Sequence, residues 1–208
     1  MKKKLHMYEL VCAVLLLCVF SIIAWRVYSG GVTAVDEYVK GLVTEIQTES
    51  SLTFFRYVTK LGSAIGIVFV LAVSLFFLAK NRYYVAMVIY PLLILCTHFI
   101  NKGIKAIVKR DRPTINDALD ALGYSFPSGH AMLSIVTYGF LAYIIAANVK
   151  SAAAKCFVTT LAIVLIFLIG LSRIILSVHY PTDVLAGYCM GGVLLIIAIY
   201  LHRFYAAR

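Results

Sequence analysis

Six apolar runs constrain this chain more than any other feature of its sequence. They lie at residues 8–28, 62–79, 83–101, 131–148, 156–172 and 184–201. A hydrocarbon core of about 30 Å takes about 20 apolar residues in helical form, so each run is about long enough to span a bilayer. Hydrophobic residues form 62% of the 208 residues and charged residues 13%, outside the usual range of soluble domains. We expect one all-α membrane domain over residues 1–208, a six-transmembrane-helix bundle.

The segment between the first two runs, residues 30–60, mixes charged residues with apolar ones at helical spacing. This pattern predicts one or two short amphipathic helices on the surface, in the first outer loop. We interpret them as a structural collar on the bundle. A lid over a site, or a gate for lipid, is the alternative.

The basic residues bear on orientation and partners. Nine lie at one predicted face and ten at the other, so the tally alone does not decide the topology. Dense clusters at one face, beginning with Lys2-Lys3-Lys4, predict cytoplasmic N- and C-termini and a multi-pass protein of the plasma membrane. We expect the first run to be an uncleaved span, because it is longer than the apolar core of a signal peptide.

The net charge of +10 forms no extended stripe, so we expect lipid rather than nucleic acid as partner. No oligomeric state is predicted.

Polar residues interrupt the apolar chain in clusters that the topology places on one outer face. The cluster members are Lys105, Arg112, Pro113, Ser128, Gly129 and His130 after the third span, and Ser172, Arg173, His179 and Asp183 around the end of the fifth. A charge at the centre of a bilayer costs roughly 2.5 to 3.5 kcal/mol, so such residues are expected to meet a ligand or one another. A phosphate with up to two negative charges meets that requirement.

Two cations open the first cluster. Lys105 and Arg112 are seven residues apart, so on a helical segment they share a face, and Pro113 would end that helix. An ammonium and a guanidinium both suit phosphate oxygens. A basic loop that reaches toward the membrane surface is the alternative.

The remaining clusters supply the groups for proton transfer and attack. Ser128 and Gly129 fall where the fourth span begins, and the free N–H groups of a helix start bind anions. His130 follows on the first turn. His179 and Asp183 are four residues apart, so the carboxylate can orient one imidazole nitrogen and leave the other basic. A plain helix cap and a structural His–Asp pair are the alternatives.

These residues resemble the signature of the type 2 phosphatidic acid phosphatase family of lipid phosphatases. The pattern is Lys-(six residues)-Arg-Pro, then Pro-Ser-Gly-His, then Ser-Arg-(five residues)-His-(three residues)-Asp. It is met without departure between roughly residues 100 and 190, by Lys105, Arg112-Pro113, Pro127-Ser128-Gly129-His130, Ser172-Arg173, His179 and Asp183.

The resemblance implies a role for each residue. His179 would attack phosphorus to form a phosphohistidine, Asp183 would orient it, and His130 would protonate the leaving oxygen. The phosphate would be held by Lys105, Arg112, Ser128, Gly129 and Arg173. The substrate would be a lipid phosphomonoester or pyrophosphate such as phosphatidylglycerophosphate, undecaprenyl pyrophosphate or phosphatidic acid, because short bacterial members act on such lipids.

Neither a metal nor another cofactor is expected, since the cationic side chains already supply the positive charge that a metal would bring. Asp111, Asp117 and Asp120 could be imagined as magnesium ligands, but we interpret them as a solvated loop. Two other functions remain open. A lipid phosphotransferase would use the same motifs with another acceptor, whereas an anion channel or transporter would place its charges nearer the middle of the membrane.

Overall fold

The computed structural model describes residues 2–113 and 123–206, with side chains from residue 7 onward. In this part of the chain every regular element is an α-helix. The eight helices are α1 Lys2–Gly30, α2 Ala34–Ile46, α3 Glu49–Lys60, α4 Ala64–Lys80, α5 Tyr84–Val108, α6 Gly129–Asn148, α7 Ala152–Ile175 and α8 Pro181–Ala206.

The long apolar helices follow the order of the predicted spans. Within the described residues, α1, α5, α6, α7 and α8 are each long and apolar enough to cross a bilayer. The sixth candidate is α3 and α4 taken together, which are bent by 48° at a short break. With 17 residues, α4 alone would extend about 25 Å, slightly less than a hydrocarbon core. The all-helical bundle is confirmed. The second predicted run, residues 62–79, corresponds to α4.

Helix α6 is the central element, packed against α5, α7 and α8. Its residues Met132, Val136 and Phe140 are fully buried. It approaches α8 closely at Gly187, where a Cβ atom would lie 2.7 Å from the carbonyl oxygen of Ser128. Small residues permit such close approach of helices in membranes. This contact brings the start of α6 beside the start of α8.

Helices α2 and α3 lie over the end of the bundle where α7 ends and α8 begins. Each starts with a capping box, Thr33 with Asp36 in α2 and Thr48 with Ser51 in α3. The side chain of Gln47, which follows α2, donates a 2.6 Å hydrogen bond to the carbonyl oxygen of Ile175 at the end of α7. Both helices are therefore fixed to the region that carries the last motif.

Candidate active site

The motifs that lie far apart in sequence meet at one end of the bundle. The backbone N–H of Ser128, at the N-cap of α6, donates a 3.0 Å hydrogen bond to the carbonyl oxygen of Asp183 in the first turn of α8. Asn101 of α5 donates from its amide to the carbonyl oxygen of Pro127 at 3.1 Å. Helices α5, α6 and α8 thus contribute to a single site.

His179 is buried, with 3% of its surface exposed. Its Nε2 lies 3.0 Å from a guanidinium nitrogen of Arg112. A guanidinium can only donate, so Nε2 accepts and the ring proton lies on Nδ1. That Nδ1 faces Asp183 Oδ2 at 3.4 Å and Ser125 Oγ at 3.3 Å. The surroundings therefore select the tautomer in which Nε2 carries no proton and its electron pair accepts from Arg112.

The loop that carries His179 is held by the end of α7. The carbonyl oxygen of Arg173 accepts hydrogen bonds from the backbone N–H of Val178 at 3.1 Å and of His179 at 3.2 Å. Ser177 turns the chain with a positive φ of 54°. This turn explains the five-residue spacing between Arg173 and His179, because the carbonyl oxygen of Arg173 holds the backbone of His179.

Burial lowers the pKa of His179 to about 3; Asp183 opposes the shift, while the nearby charges of Arg112 and Arg173 add to it. The imidazole is therefore neutral throughout the physiological pH range. A neutral imidazole with a free Nε2 is the form that can act as a nucleophile.

The carboxylate of Asp183 is fully buried and surrounded by donors. Arg110 donates to Oδ1 at 2.6 Å, and the backbone N–H of Tyr180 donates to Oδ2 at 2.9 Å. The hydroxyl of Ser125 also donates to Oδ2. These bonds fix the carboxylate in position beneath the imidazole.

The predicted phosphate-binding cations converge on the same region. Arg112 is held by the carbonyl oxygens of Gly123 at 2.9 Å and Val178 at 2.8 Å. The ammonium of Lys105 donates to the carbonyl oxygen of Tyr124. Arg173 is fully buried and donates to the hydroxyl of Thr59 in α3 at 2.7 Å. Three fixed cations thus border the site.

Ser128, Gly129 and His130 stand at the start of α6, as predicted, with Ser128 at the N-cap. His130 is half-buried, and its ring packs against the α3–α4 break, where a Cβ on Gly62 would lie 3.0 Å from the imidazole. The groups that act electrostatically on His130 include Arg173, His179 and Arg112. The second histidine therefore belongs to the same cluster.

The sequence of this chain is similar to those of known proteins. A family model described as the PAP2 superfamily matches residues 86–206. The chain belongs to the PAP2 superfamily. Phosphatidylglycerophosphatase B of Bacillus subtilis (strain 168) is 28% identical to it over 177 residues, which cover 83% of this chain and 85% of that protein.

Two solved structures extend the family relationship. The crystal structure of a transmembrane PAP2 type phosphatidylglycerolphosphate phosphatase from Bacillus subtilis has a TM-score of 0.80 and 25% identity, covering 94% of this chain and 96% of that one. The crystal structure of Aquifex aeolicus LpxE has a TM-score of 0.61 and 25% identity, covering 81% and 96%. This PAP2 member is therefore a multi-pass membrane protein related to phosphatases.

One prediction about the first motif is wrong. Lys105 and Arg112 do not share a face of one helix that ends at Pro113, because α5 already ends at Val108. Lys109 follows in the left-handed conformation, with a φ of 51°. The chain therefore turns after Lys105, and Arg112 approaches His179 from a loop.

The three aspartates considered as magnesium ligands form no observed site. Asp111 is exposed, and Asp117 and Asp120 lie outside the described residues. Within residues 2–113 and 123–206, no group of three or more potential ligands could hold a metal ion.

The sequence motifs missed several residues that contact the site of this PAP2 member. Ser125 and Arg110 both donate to Asp183, and Asp36 pairs with Arg110. Ser125 precedes Pro-Ser-Gly-His by two residues, and Arg110 precedes Arg112 by two, so proximity to a motif was a weak signal. Asp36 lay among the charged residues of the predicted surface segment, and nothing in the sequence related it to the site.

Proposed function

We propose that this PAP2 member is a lipid phosphatase that releases phosphate from a lipid phosphomonoester or pyrophosphate. The observation that carries the proposal is the buried, neutral imidazole of His179, held between Asp183 and Arg112 with Nε2 unprotonated. The relatives named for phosphatidylglycerophosphate make that lipid the first substrate to test.

The proposed reaction has two steps. Nε2 of His179 attacks phosphorus and forms an N–P bond while the P–O bond to the lipid breaks, and the leaving oxygen takes a proton from His130. Water then attacks phosphorus and gives a proton to His130, and the electron pair of the N–P bond returns to Nε2. Proton transfer by a positioned histidine contributes typically about 10² to 10⁴-fold to such steps.

The cations and the start of α6 would stabilise the transferring group. Lys105, Arg112 and Arg173 supply positive charge around its oxygens, and Ser128 with Gly129 supplies the backbone N–H groups of a helix start. These fixed charges perform the electrostatic work that metal ions perform in other phosphoryl transfer enzymes. We therefore propose a reaction that does not depend on a metal.

Phosphate release by the purified protein in detergent tests the proposal. Phosphatidylglycerophosphate, phosphatidic acid and undecaprenyl pyrophosphate are supplied separately, each with excess EDTA and without a second lipid. We expect release from at least one, and loss of turnover by at least about 10³-fold in His179→Ala. His98→Ala, an exposed histidine of α5, is the matched control and should retain full activity.

Undiminished hydrolysis by His179→Ala would reject the nucleophile. Release that requires an added acceptor lipid would instead identify a phosphotransferase. Loss of activity in EDTA that magnesium restores would reject metal independence.

A further inference from the structure

A buried ion-pair network extends from the active site into α2, beyond the motifs of the family. Arg110 stands between two carboxylates, 2.6 Å from Oδ2 of Asp36 and 2.6 Å from Oδ1 of Asp183. Asp36 is fully buried and Arg110 is 6% exposed. The guanidinium also lies 4.0 Å from the ring centre of Tyr180, which shields it on one face.

Both carboxylate oxygens of Asp36 accept hydrogen bonds from neighbouring residues. Its Oδ1 accepts from the backbone N–H of Thr182 at 3.1 Å and from the Thr182 hydroxyl at 2.9 Å. Its Oδ2 accepts from the backbone N–H of Thr33 at 3.1 Å in addition to Arg110. Burial alone raises the pKa of Asp36, but the hydrogen bonds from Arg110, Thr182 and Thr33 outweigh it and hold the pKa below the usual 3.8. Asp36 is therefore a buried anion.

Asp36 can affect catalysis because Arg110 links it to Asp183. When His179 bonds to phosphorus, its ring gains positive charge, which Asp183 must stabilise. Arg110 forms an ion pair with the same carboxylate, and without another partner it would neutralise the charge of Asp183. Asp36 compensates Arg110, so the negative charge of Asp183 remains available to the imidazole.

We infer that Asp36 is a positioning residue, which through Arg110 leaves the charge and orientation of Asp183 free to serve His179. The inference rests on the proposed function, since it assumes that His179 is the nucleophile. It assigns to α2 a part in the chemistry, where the sequence predicted a structural collar.

Steady-state kinetics on a lipid phosphate separate this role from substrate binding. In Asp36→Asn we expect kcat to fall about 10- to 100-fold, by analogy with the outer-shell partners that orient metal-ligating histidines. KM should stay within about threefold, because Lys105, Arg112 and Arg173 are untouched. The matched control is Glu37→Gln, the exposed neighbour on α2, which should behave as the wild type.

A double variant that removes both charges distinguishes the inferred role of Asp36 from a purely structural one. In Asp36→Asn with Arg110→Gln, the uncompensated cation is gone and the glutamine can still donate to Asp183. We expect this variant to be about tenfold more active than Asp36→Asn alone, a coupling within the range of contacting residues. If the two removals merely damaged packing, the double variant would be no more active than the single one, and the inference would fail.

Other outcomes are equally decisive. Wild-type kcat in Asp36→Asn, or a loss confined to KM, overturns the inference. If Asp36→Asn does not fold in detergent, Arg110→Lys replaces it, since a lysine keeps the charge but lacks the planar fork of donors that holds Asp36 and Asp183 in a fixed geometry. The same fall in kcat at constant KM is then expected, and wild-type kcat overturns the inference. A wild-type protein that releases no phosphate would instead reject the proposed function.

Discussion

At the scale of single residues, the protonation of His179 is set by the groups at its two nitrogens. Arg112 occupies Nε2 as a donor, and Asp183 faces Nδ1. Burial and two nearby guanidinium groups disfavour a second proton on the ring, which places the pKa near 3 instead of the ordinary 6.5. A histidine with a lowered pKa loses its proton at lower pH, so His179 stays neutral well into the acidic range.

This protonation state predicts the acid limb of the pH profile. An ordinary imidazole would be almost fully protonated at about pH 5 and would lower kcat/KM about 30-fold. We expect no enzyme-derived fall of that size at pH 5, measured as kcat/KM on a lipid phosphate. Phosphate groups of the substrate also titrate, so the profile is measured on two substrates whose phosphate pKa values differ. A limb near pH 6.5 that is common to both would contradict the neutral His179.

The residues that could be predicted from sequence are those whose type carries the chemistry. Histidine, arginine and lysine at ordered spacings indicated a phosphate site before any contact was known. Asp36 could not be predicted, because it contacts Thr182 across 146 positions of the chain. Arg110 lies in the run Lys109-Arg110-Asp111-Arg112, where nothing in the sequence separates a buried ion pair from a solvated charge.

At the scale of elements, the geometry of the site depends on how closely α6 approaches α8. A Cβ on Gly187 would lie 2.7 Å from the carbonyl oxygen of Ser128 and 3.0 Å from Cβ of Ala131. Neither neighbour is the end of a flexible side chain, so the helices would have to move apart. That movement would stretch the hydrogen bond from Ser128 to Asp183, which joins the start of α6 to the residue that faces His179.

Gly187→Ala should therefore reduce both stability and activity. Overpacking costs typically about 1 to 3 kcal/mol, and a misplacement of about 1 Å can cost about 100-fold in rate. We expect a lower thermal unfolding temperature in detergent and a kcat reduced about 10- to 100-fold. Gly103→Ala on α5 is the control, since a Cβ there meets nothing within 4 Å. Equal behaviour of the two variants would show that the close approach does not position the site.

The elements themselves were predictable where hydrophobic length decides them. Six apolar runs gave the spans, because only a helix satisfies its own backbone in lipid. The end of α5 was misplaced, since Pro113 indicates only where a helix cannot continue, whereas the turn at Lys109 ends α5 earlier. The bent pairing of α3 with α4 was not predicted, because α3 carries polar residues that the apolar pattern assigns to the surface.

At the scale of the whole molecule, the positions of the basic residues indicate an orientation in the membrane that their total count does not. Of the basic residues in the described part of the chain, eight lie at the end of the bundle opposite the site and ten at the site end. Four of the ten, Lys105, Arg110, Arg112 and Arg173, are engaged within the site. Six therefore remain as surface charges at the site end. The excess now lies opposite the site, and by the positive-inside rule we propose that the site faces outward.

Labelling of single cysteines in intact cells tests this orientation. The native cysteines are first replaced, and Lys40→Cys or Lys150→Cys is introduced at positions that are both exposed. Lys40 lines the same cavity as His179, whereas Lys150 precedes α7 at the other end. An impermeant maleimide should react with Lys40→Cys in intact cells and with Lys150→Cys only after permeabilisation. The reverse pattern would place the site in the cytoplasm, and the surface charges would then have to be explained by attraction to anionic lipid at the outer face.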